Sequence, residues 1–145
     1  MDTVGIKLAP PYFAYLLYVN HIGKEVLKTE ATGPAVSFNS QLPAVDAVAT
    51  RSQDGHTLYL AVINRSADDA VSTQIDLKGW QAAGNAAQAY ELNGKTWDAF
   101  NPYGSTENVN ISHRTVSVDK PSFSYAFPPH TATVLEIGGS GSTNP

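Results

Sequence analysis

The sequence predicts an all-β protein, an antiparallel and jelly-roll-like β-sandwich preceded by one short N-terminal helix. Short runs of β-branched and aromatic residues, separated by turn residues, recur along most of the chain, which is typical of a sandwich. Two of these runs meet at Asp54-Gly55, a pair that supplies the positive φ angles of a tight hairpin turn. The second run, residues 56–64, is apolar on both faces. Such a strand is predicted to lie in the middle of a layered structure, covered on both sides.

The N-terminal segment, residues 1–22, is predicted to contain the helix. Pro10-Pro11 suits the first helical turn, residues 12–19 are apolar almost all round, and His21-Ile22-Gly23 offers a stop. We therefore expect a buried helix over residues 11–21. The tyrosines and the valine of this stretch also favour a strand, which is the alternative.

The β-sandwich domain is predicted over residues 23–137. Residues 71–77 alternate apolar and polar side chains, and residues 123–127 do the same, which indicates strands with one face turned to solvent. The final segment, residues 138–145, has the Gly- and Ser-rich composition of a flexible linker. Strands are predicted over residues 25–31, 34–38, 45–53, 56–64, 70–77, 86–92, 108–111, 114–118, 122–127 and 131–137.

The composition limits the classes of partner. A chain of 145 residues fits one domain, which buries about two-thirds of its unfolded surface. The formal net charge of −4 comes from scattered single charges, so no nucleic-acid partner is predicted. No apolar run approaches the roughly 20 residues of a membrane span, so no membrane partner is predicted either. Cysteine is absent, which excludes disulfides and thiolate metal sites and leaves the cellular compartment open.

The sequence motifs give little support for a metal site or for a serine-hydrolase active site. The four histidines fall on separate predicted elements, without the spacing of a zinc site. Asp68-Asp69 is an acidic pair that could hold calcium, but it is more simply explained as a solvated turn. No Gly-x-Ser-x-Gly motif is present. We predict no metal and no cofactor.

The predicted loop over residues 93–107 is the candidate binding site. It carries Trp97, Phe100 and Tyr103 among small and polar residues, and exposed aromatic rings offer flat faces for stacking on sugars. The alternative is that these rings fold back onto the sandwich. The polar candidates for bonds to sugar hydroxyls are Asn93, Asp98 and Asn101.

Five pieces of the sequence follow one another in a family-like order. They are Tyr12-Phe13-Ala14-Tyr15 with Asn20-His21-Ile22-Gly23, then Ala49 to Arg65, Glu91-Leu92-Asn93-Gly94, Glu107-Asn108-Val109, and Phe123 to Pro128 leading to His130. Together they resemble the C-terminal domain of α-L-arabinofuranosidases of glycoside hydrolase family 51. The resemblance covers roughly residues 8–137.

The resemblance implies that the catalytic residues lie elsewhere. Retaining glycosidases use two carboxyl groups about 5 Å apart, and the resembled family carries both as glutamates on a barrel that this sequence does not contain. The Asn-Glu pair of the family's acid/base motif is also absent. We therefore predict that the chain has no catalytic residue and is not an enzyme by itself. Its glutamates are Glu25, Glu30, Glu91, Glu107 and Glu136.

The predicted function is that of a non-catalytic accessory domain in an arabinofuranosidase-like, hemicellulose-degrading glycoside hydrolase. Its expected partner is a plant cell-wall polysaccharide, namely arabinoxylan, xylan or β-glucan. The alternative is a purely structural domain that supports the parent enzyme's catalytic barrel and has no glycan affinity of its own. In the resembled enzymes the barrel helps to cover the N-terminal helix. A chain without that barrel is therefore expected to expose apolar surface and to form a homodimer through residues 8–22.

Overall fold

The structure is a computed structural model that describes residues 8–103 and 108–140. Within these residues one helix precedes ten strands. Most of the predicted linker, residues 141–145, and Glu107 of the family-like pieces lie outside the described residues. The elements are α1 (Pro10–Asn20), β1 (Glu25–Leu27), β2 (Ala35–Val36), β3 (Asn39–Pro43), β4 (Val45–Arg51), β5 (Thr57–Asn64), β6 (Val71–Asp76), β7 (Ala86–Gly94), β8 (Val109–Ser117), β9 (Ser122–Phe127) and β10 (Ala132–Gly138).

The strands form a large six-stranded sheet and two smaller ones. The order in the large sheet is β1-β4-β5-β10-β7-β8, while β6 pairs with β9 and β2 pairs with β3. All pairings are antiparallel, and those of β5 with β10, β6 with β9 and β7 with β8 are nested within one another. This nesting is the jelly-roll-like arrangement, so the predicted all-β fold with one short helix is confirmed.

The main hydrophobic core lies between the large sheet and the β6–β9 sheet. Leu58, Leu60 and Val62 of β5 point into it, because alternate side chains of a strand share one face. Burying each such side chain contributes about 1.5–3 kcal/mol of transfer free energy. The predicted alternation in residues 71–77 and 123–127 is confirmed, since their apolar side chains face this core. The core residues from these two segments are Ile75, Leu77, Phe123, Tyr125 and Phe127, with Val71 partly buried against them.

The opposite face of the large sheet, called here the outer face, carries α1. The helix lies against β7, β8 and β10, and Phe13 and Leu17 are its buried side chains. On β5 the outer face consists of Tyr59, Ala61 and Ile63, and Ile63 is 42% exposed. The prediction that this strand is covered on both sides is therefore wrong for one face, because α1 lies over the neighbouring strands and not over β5 itself.

The strand boundaries differ from the prediction in a few places. The short strand β3 was not predicted, because its mixed polar sequence and terminal Pro43 weaken the strand signal. The two strands expected over 108–111 and 114–118 are one continuous strand, β8, whose entire length pairs with β7. The glycine run expected to be a linker begins inside the sheet, since Gly138 ends β10 and Gly139 bridges to Ala82.

The helix begins at Pro10 and ends at Asn20, close to the predicted range. Within the described residues no helix has the length and apolar character needed to cross a lipid bilayer.

Candidate functional site

The connection between β7 and β8 is anchored to the sandwich by a buried asparagine. The side chain of Asn101 has no exposed surface (0%). Its Nδ2 donates to the carbonyl oxygen of Val109 at 2.8 Å, and its Oδ1 accepts from the N–H of Val109 at 2.8 Å. The same Nδ2 lies 3.3 Å from the carbonyl oxygen of Leu8, just before α1. Asn101 therefore fixes the loop and the start of the helix together.

The three aromatic candidates of this loop lie at the surface. Trp97 is 71% exposed, and Phe100 and Tyr103 are also exposed. Trp97 follows Thr96, whose carbonyl accepts from the N–H of Ala99 at 3.1 Å, so its ring projects from a tight turn. The alternative that the rings fold back onto the sandwich does not fit Trp97, whose ring is 71% exposed. Their exposure leaves flat apolar faces at one end of the sandwich.

The polar candidates divide into surface and structural residues. Asp98 is exposed beside Trp97. Asn93 is half-buried, and its Oδ1 accepts from the N–H of Gly94 at 2.8 Å. Asn101 is buried and engaged by the backbone, so its expected role as a ligand for sugar hydroxyls does not fit its position. Of the three, Asp98 is the one that stands exposed next to an exposed ring.

A second candidate surface is the outer face of the large sheet together with α1. Tyr15 of the helix is 68% exposed, and Val48 of β4 and Ile63 of β5 are exposed on the same side of the sheet. Exposed apolar side chains collected on one side of a monomer mark an interaction surface. The exposed apolar side chains of the helix and of Ile22 just after it are Tyr12, Tyr15, Val19 and Ile22.

Polar contacts hold the C-terminal end of α1 on the outer face. The ring of His21 stacks on the ring of Tyr90, with 3.7 Å between centroids, and its Nδ1 lies 3.3 Å from Oε2 of Glu136. The N–H of Gly23 donates to Oγ1 of Thr50 at 2.8 Å. With Asn101 holding the other end, both ends of the helix are fixed, so the exposed side chains of α1 stand on a rigid support.

A buried carboxylate lies inside the sandwich. The hydroxyl of Tyr125 donates to Oε1 of Glu91 at 2.7 Å. The guanidinium of Arg114 donates through Nη2 to the Tyr125 hydroxyl at 3.0 Å, and its Nε lies 3.5 Å from Oε2 of Glu91. Burial, and then the neighbouring Glu91 carboxylate, raises the pKa of Tyr125 far above its ordinary value. All three groups are satisfied by one another, which is the arrangement of a structural network.

The described residues contain no group of histidines and acidic side chains that could hold a metal ion. The described glutamates are engaged in separate contacts. Glu25 pairs with Arg51, Glu30 with Lys28, and Glu136 with His21. Arg51 thus acts as a hydrogen-bonding residue at the end of β4.

The chain matches one protein family over most of its length. Residues 3–131 match the family described as Alpha-L-arabinofuranosidase C-terminal domain. The fold and this match define a β-sandwich domain of the kind described as the C-terminal domain of α-L-arabinofuranosidases. The chain belongs to the C-terminal domain family of the α-L-arabinofuranosidases of glycoside hydrolase family 51. No curated protein sequence matches it.

Solved structures agree with this assignment. The α-L-arabinofuranosidase from Thermotoga maritima, in complex with arabinose, is 29% identical with a TM-score of 0.83, over 95% of this chain and 30% of that structure. The thermostable family 51 enzyme from Thermotoga petrophila RKU-1 is 31% identical with a TM-score of 0.81, over 94% and 30%. CelM2, a bifunctional glucanase-xylanase from a metagenome library, is 25% identical with a TM-score of 0.67, over 90% and 22%.

The chain therefore spans about a third or less of the structures it matches. The resemblance predicted from the sequence is confirmed.

Two features of the site were not predicted from the sequence. The Glu91 network was not predicted, although Ala87, Ala89 and Glu91 share one phase of a strand, which places this carboxylate on the core face. Its partners Arg114 and Tyr125 come from two other strands. The stacking of His21 on Tyr90 likewise depends on a pairing between distant elements, and no local pattern reports it.

The Glu91 network predicts a stability change at alkaline pH. Because the pKa of Tyr125 is raised in the folded chain, the folded state keeps a proton that the unfolded state releases above about pH 10. The free energy of unfolding should therefore fall as the pH rises above this value. Tyr125→Phe should make this fall less steep and should cost about 1–3 kcal/mol at pH 7, because Glu91 loses a donor. Urea unfolding between pH 7 and pH 11 measures both effects.

The control for this prediction is Tyr15→Phe, which changes an exposed tyrosine. It should leave both the stability at pH 7 and the alkaline slope as they are. Identical alkaline slopes for Tyr125→Phe and the unmodified chain would contradict the prediction.

Proposed function

We propose that the chain is an accessory domain of an arabinofuranosidase-like, hemicellulose-degrading enzyme, and that its outer face supports the catalytic barrel of that enzyme. The observation that carries the proposal is the incomplete cover of the outer face. Strand β5 is apolar on this side, yet Ile63 is exposed, and within the described residues α1 packs mainly on β7, β8 and β10. A second protein surface placed there would bury the exposed apolar side chains of α1, β4 and β5.

The position of α1 supports this role. The helix is fixed at one end by Asn101 and at the other by His21 and Thr50. It therefore presents Tyr15 and Val19 from a rigid base, with little conformational entropy left to lose on docking. Tyrosine is among the side chains that most often form the centre of a protein interface.

The lengths of the related enzymes support a catalytic barrel as the proposed partner. The chain matches about 30% of the arabinofuranosidase structures from the two Thermotoga species, so these enzymes contain a large additional part against which such a face could pack. The homodimer expected through residues 8–22 would use the same apolar side chains. It stays a prediction for the isolated chain, in which the face has no barrel to contact.

Carbohydrate binding is the second candidate function, and the exposure of Trp97 favours it. An indole ring that is 71% exposed on a turn has no packing role on its solvent side. It can stack on the apolar face of a pyranose or furanose ring, with Asp98 beside it as an acceptor for hydroxyl groups. Phe100 and Tyr103 would extend this surface.

The barrel-support proposal predicts that charges on the outer face matter only when a barrel is present. The test replaces the matched part of the T. maritima enzyme with this chain. In the chimera, Tyr15→Glu with Val19→Glu should weaken docking by at least about 2 kcal/mol, because an unpaired charge would be buried. Thermal unfolding and hydrolysis of an aryl arabinofuranoside measure the loss.

The isolated chain, held at a concentration low enough to keep it monomeric, is the first control and should keep its melting temperature with the same substitutions. The second control is Ser72→Glu with Ser124→Glu on the exposed face of the small sheet, which should leave the chimera unchanged. Equal losses in the isolated chain and the chimera, or no loss in either, would contradict barrel support. Light scattering on the isolated chain, with and without Tyr15→Glu, tests the predicted homodimer.

The carbohydrate proposal predicts weak binding that depends on Trp97. Affinity electrophoresis in gels containing arabinoxylan, xylan or β-glucan should retard the chain, with dissociation constants between about 1 mM and 1 µM, or 4–8 kcal/mol. Trp97→Ala should abolish the retardation. Phe38→Ala is the matched control, because Phe38 is equally exposed but lies between β2 and β3. Migration that is unchanged in every gel, or retardation that survives Trp97→Ala, would rule out this site.

A further inference from the structure

One carboxylate stands on the outer face between α1 and β5. Glu136 of β10 pairs directly with Tyr59 of β5 on one side and with Gln88 of β7 on the other. Residues directly opposite one another on neighbouring strands share one face of the sheet, so all three side chains stand on the outer face. His21, just after the helix, contacts the same carboxylate. Glu136 therefore lies between the C-terminal end of α1 and the incompletely covered strand β5.

Three rings lie beside this carboxylate. Tyr59 is its cross-strand neighbour, and Tyr90 lies diagonally from it on β7. The ring of His21 stacks on Tyr90, and its Nδ1 is 3.3 Å from Oε2 of Glu136. Burial, and then the charge of Glu136, raises the pKa of Tyr59 and of Tyr90, so both phenol rings lie within electrostatic reach of the carboxylate. The four residues together are called here the Glu136 site.

The charge of Glu136 has no permanent counter-ion within the described part of the chain. Its ion pair there is with His21, and imidazole groups are mostly uncharged above about pH 7. Oε2 faces that ring, while Oε1 has no hydrogen bond to any residue of 8–103 and 108–140. The side chain is 33% exposed, so solvent reaches it in the isolated chain.

Covering the outer face with a second protein surface would remove this solvent. A carboxylate that loses water without gaining a counter-ion is strongly destabilising, whereas a carboxylate that meets a cation with good geometry keeps its charge compensated. A surface that covers Glu136 must therefore bring a positive charge with it, because the carboxylate would otherwise oppose docking.

The rings beside Glu136 favour a guanidinium over an ammonium group. A guanidinium is planar, stacks on aromatic faces and donates several N–H groups in a fixed fork. One arginine can therefore bond Oε1 while it lies against a tyrosine ring. The chain already contains this arrangement elsewhere, since Cζ of Arg114 lies 5.2 Å from the ring centroid of Tyr125 while its Nε is 3.5 Å from Oε2 of Glu91.

We propose that the Glu136 site receives an arginine side chain from the barrel-bearing part of the same enzyme. The guanidinium donates to Oε1 of Glu136 and lies against the ring of Tyr59, on the side of β5. This inference rests on the proposed function, because it requires the outer face to be covered in a longer enzyme. It gives that interface a charged contact, which fixes the position at which the partner surface docks.

The test is Glu136→Gln, measured at pH 8 in the isolated chain, kept monomeric by low concentration, and in the chimera with the T. maritima enzyme. Glutamine keeps the shape of the side chain and an oxygen that faces His21, so the melting temperature of the isolated chain should stay the same. In the chimera the arginine would lose its counter-charge inside the interface, and the melting temperature should fall by about 3 °C or more.

The matched control is Glu25→Gln. Glu25 is also an exposed glutamate, but its partner Arg51 lies within the chain. This substitution should therefore have the same effect in the isolated chain and in the chimera.

A second measurement identifies the class of cation on the isolated chain. N-acetyl-arginine amide is titrated into the chain while the tyrosine ring protons are followed by NMR. The resonances of Tyr59 and Tyr90 should shift with a dissociation constant in the millimolar range, and Glu136→Gln should abolish the shifts. The citrulline derivative has the shape of arginine without its charge and should shift neither ring. The lysine derivative should bind more weakly than the arginine derivative.

Four results would overturn the proposal. The first is an equal effect of Glu136→Gln on the isolated chain and the chimera, including no effect on either. The second is the absence of ring shifts with the arginine derivative. The third is a citrulline or lysine derivative that binds as well as the arginine derivative. The fourth is a loss of stability in isolated Glu136→Gln that grows with protein concentration, because a second copy of the chain would then supply the cation.

The outcome is separable from that of the proposed function. If Tyr15→Glu with Val19→Glu destabilises the chimera while Glu136→Gln acts equally in both proteins, barrel support stands and the arginine contact is wrong. If Glu136→Gln alone discriminates between the proteins, the arginine contact stands and the apolar side chains of α1 are not part of the interface. If neither discriminates, both proposals are wrong.

Discussion

The structure depends on one constraint, which is that both apolar faces of the large sheet must be covered. The constraint is clearest for strand β5, because this strand has apolar side chains on both of its faces. The core face is largely covered by the β6–β9 sheet, and the outer face is partly covered by α1. Uncovered apolar surface costs free energy in proportion to its area. The incomplete cover on each side therefore indicates where further protein surface would be stabilising.

The parts of the fold that depend on local pattern could be predicted from the sequence. Residues 71–77 and 123–127 alternate so regularly that their inward face follows directly, and Asp54-Gly55 fixes a hairpin turn, in which Gly55 has a φ of 75°. The strand β3 could not be predicted, because its sequence is polar and its strand partner among the described residues is the two-residue strand β2. The formation of β3 depends on pairing with a neighbouring segment of the same polypeptide and not on the strand propensity of its own residues.

The candidate site was predictable in type but not in geometry. Aromatic side chains in a polar loop predict either a binding surface or a plug, and only the folded loop separates Trp97 at the surface from Asn101 in the interior. Asn101 looks like any other polar loop residue in the sequence. Its bonds to Leu8 and Val109 join segments far apart in the chain, and such long-range contacts leave no local signal. The Glu91 network was hidden for the same reason.

If the outer face supports a catalytic barrel as proposed, this face and α1 form an interface and not a free surface in a longer enzyme. Hydroxyl-radical footprinting of the isolated chain and of the T. maritima chimera tests it most directly. We expect Tyr15 and Tyr12 to react strongly in the isolated chain at low concentration and to become protected in the chimera, while Phe38, exposed elsewhere, reacts equally in both. Equal labelling of Tyr12 and Tyr15 in the two proteins would contradict the account.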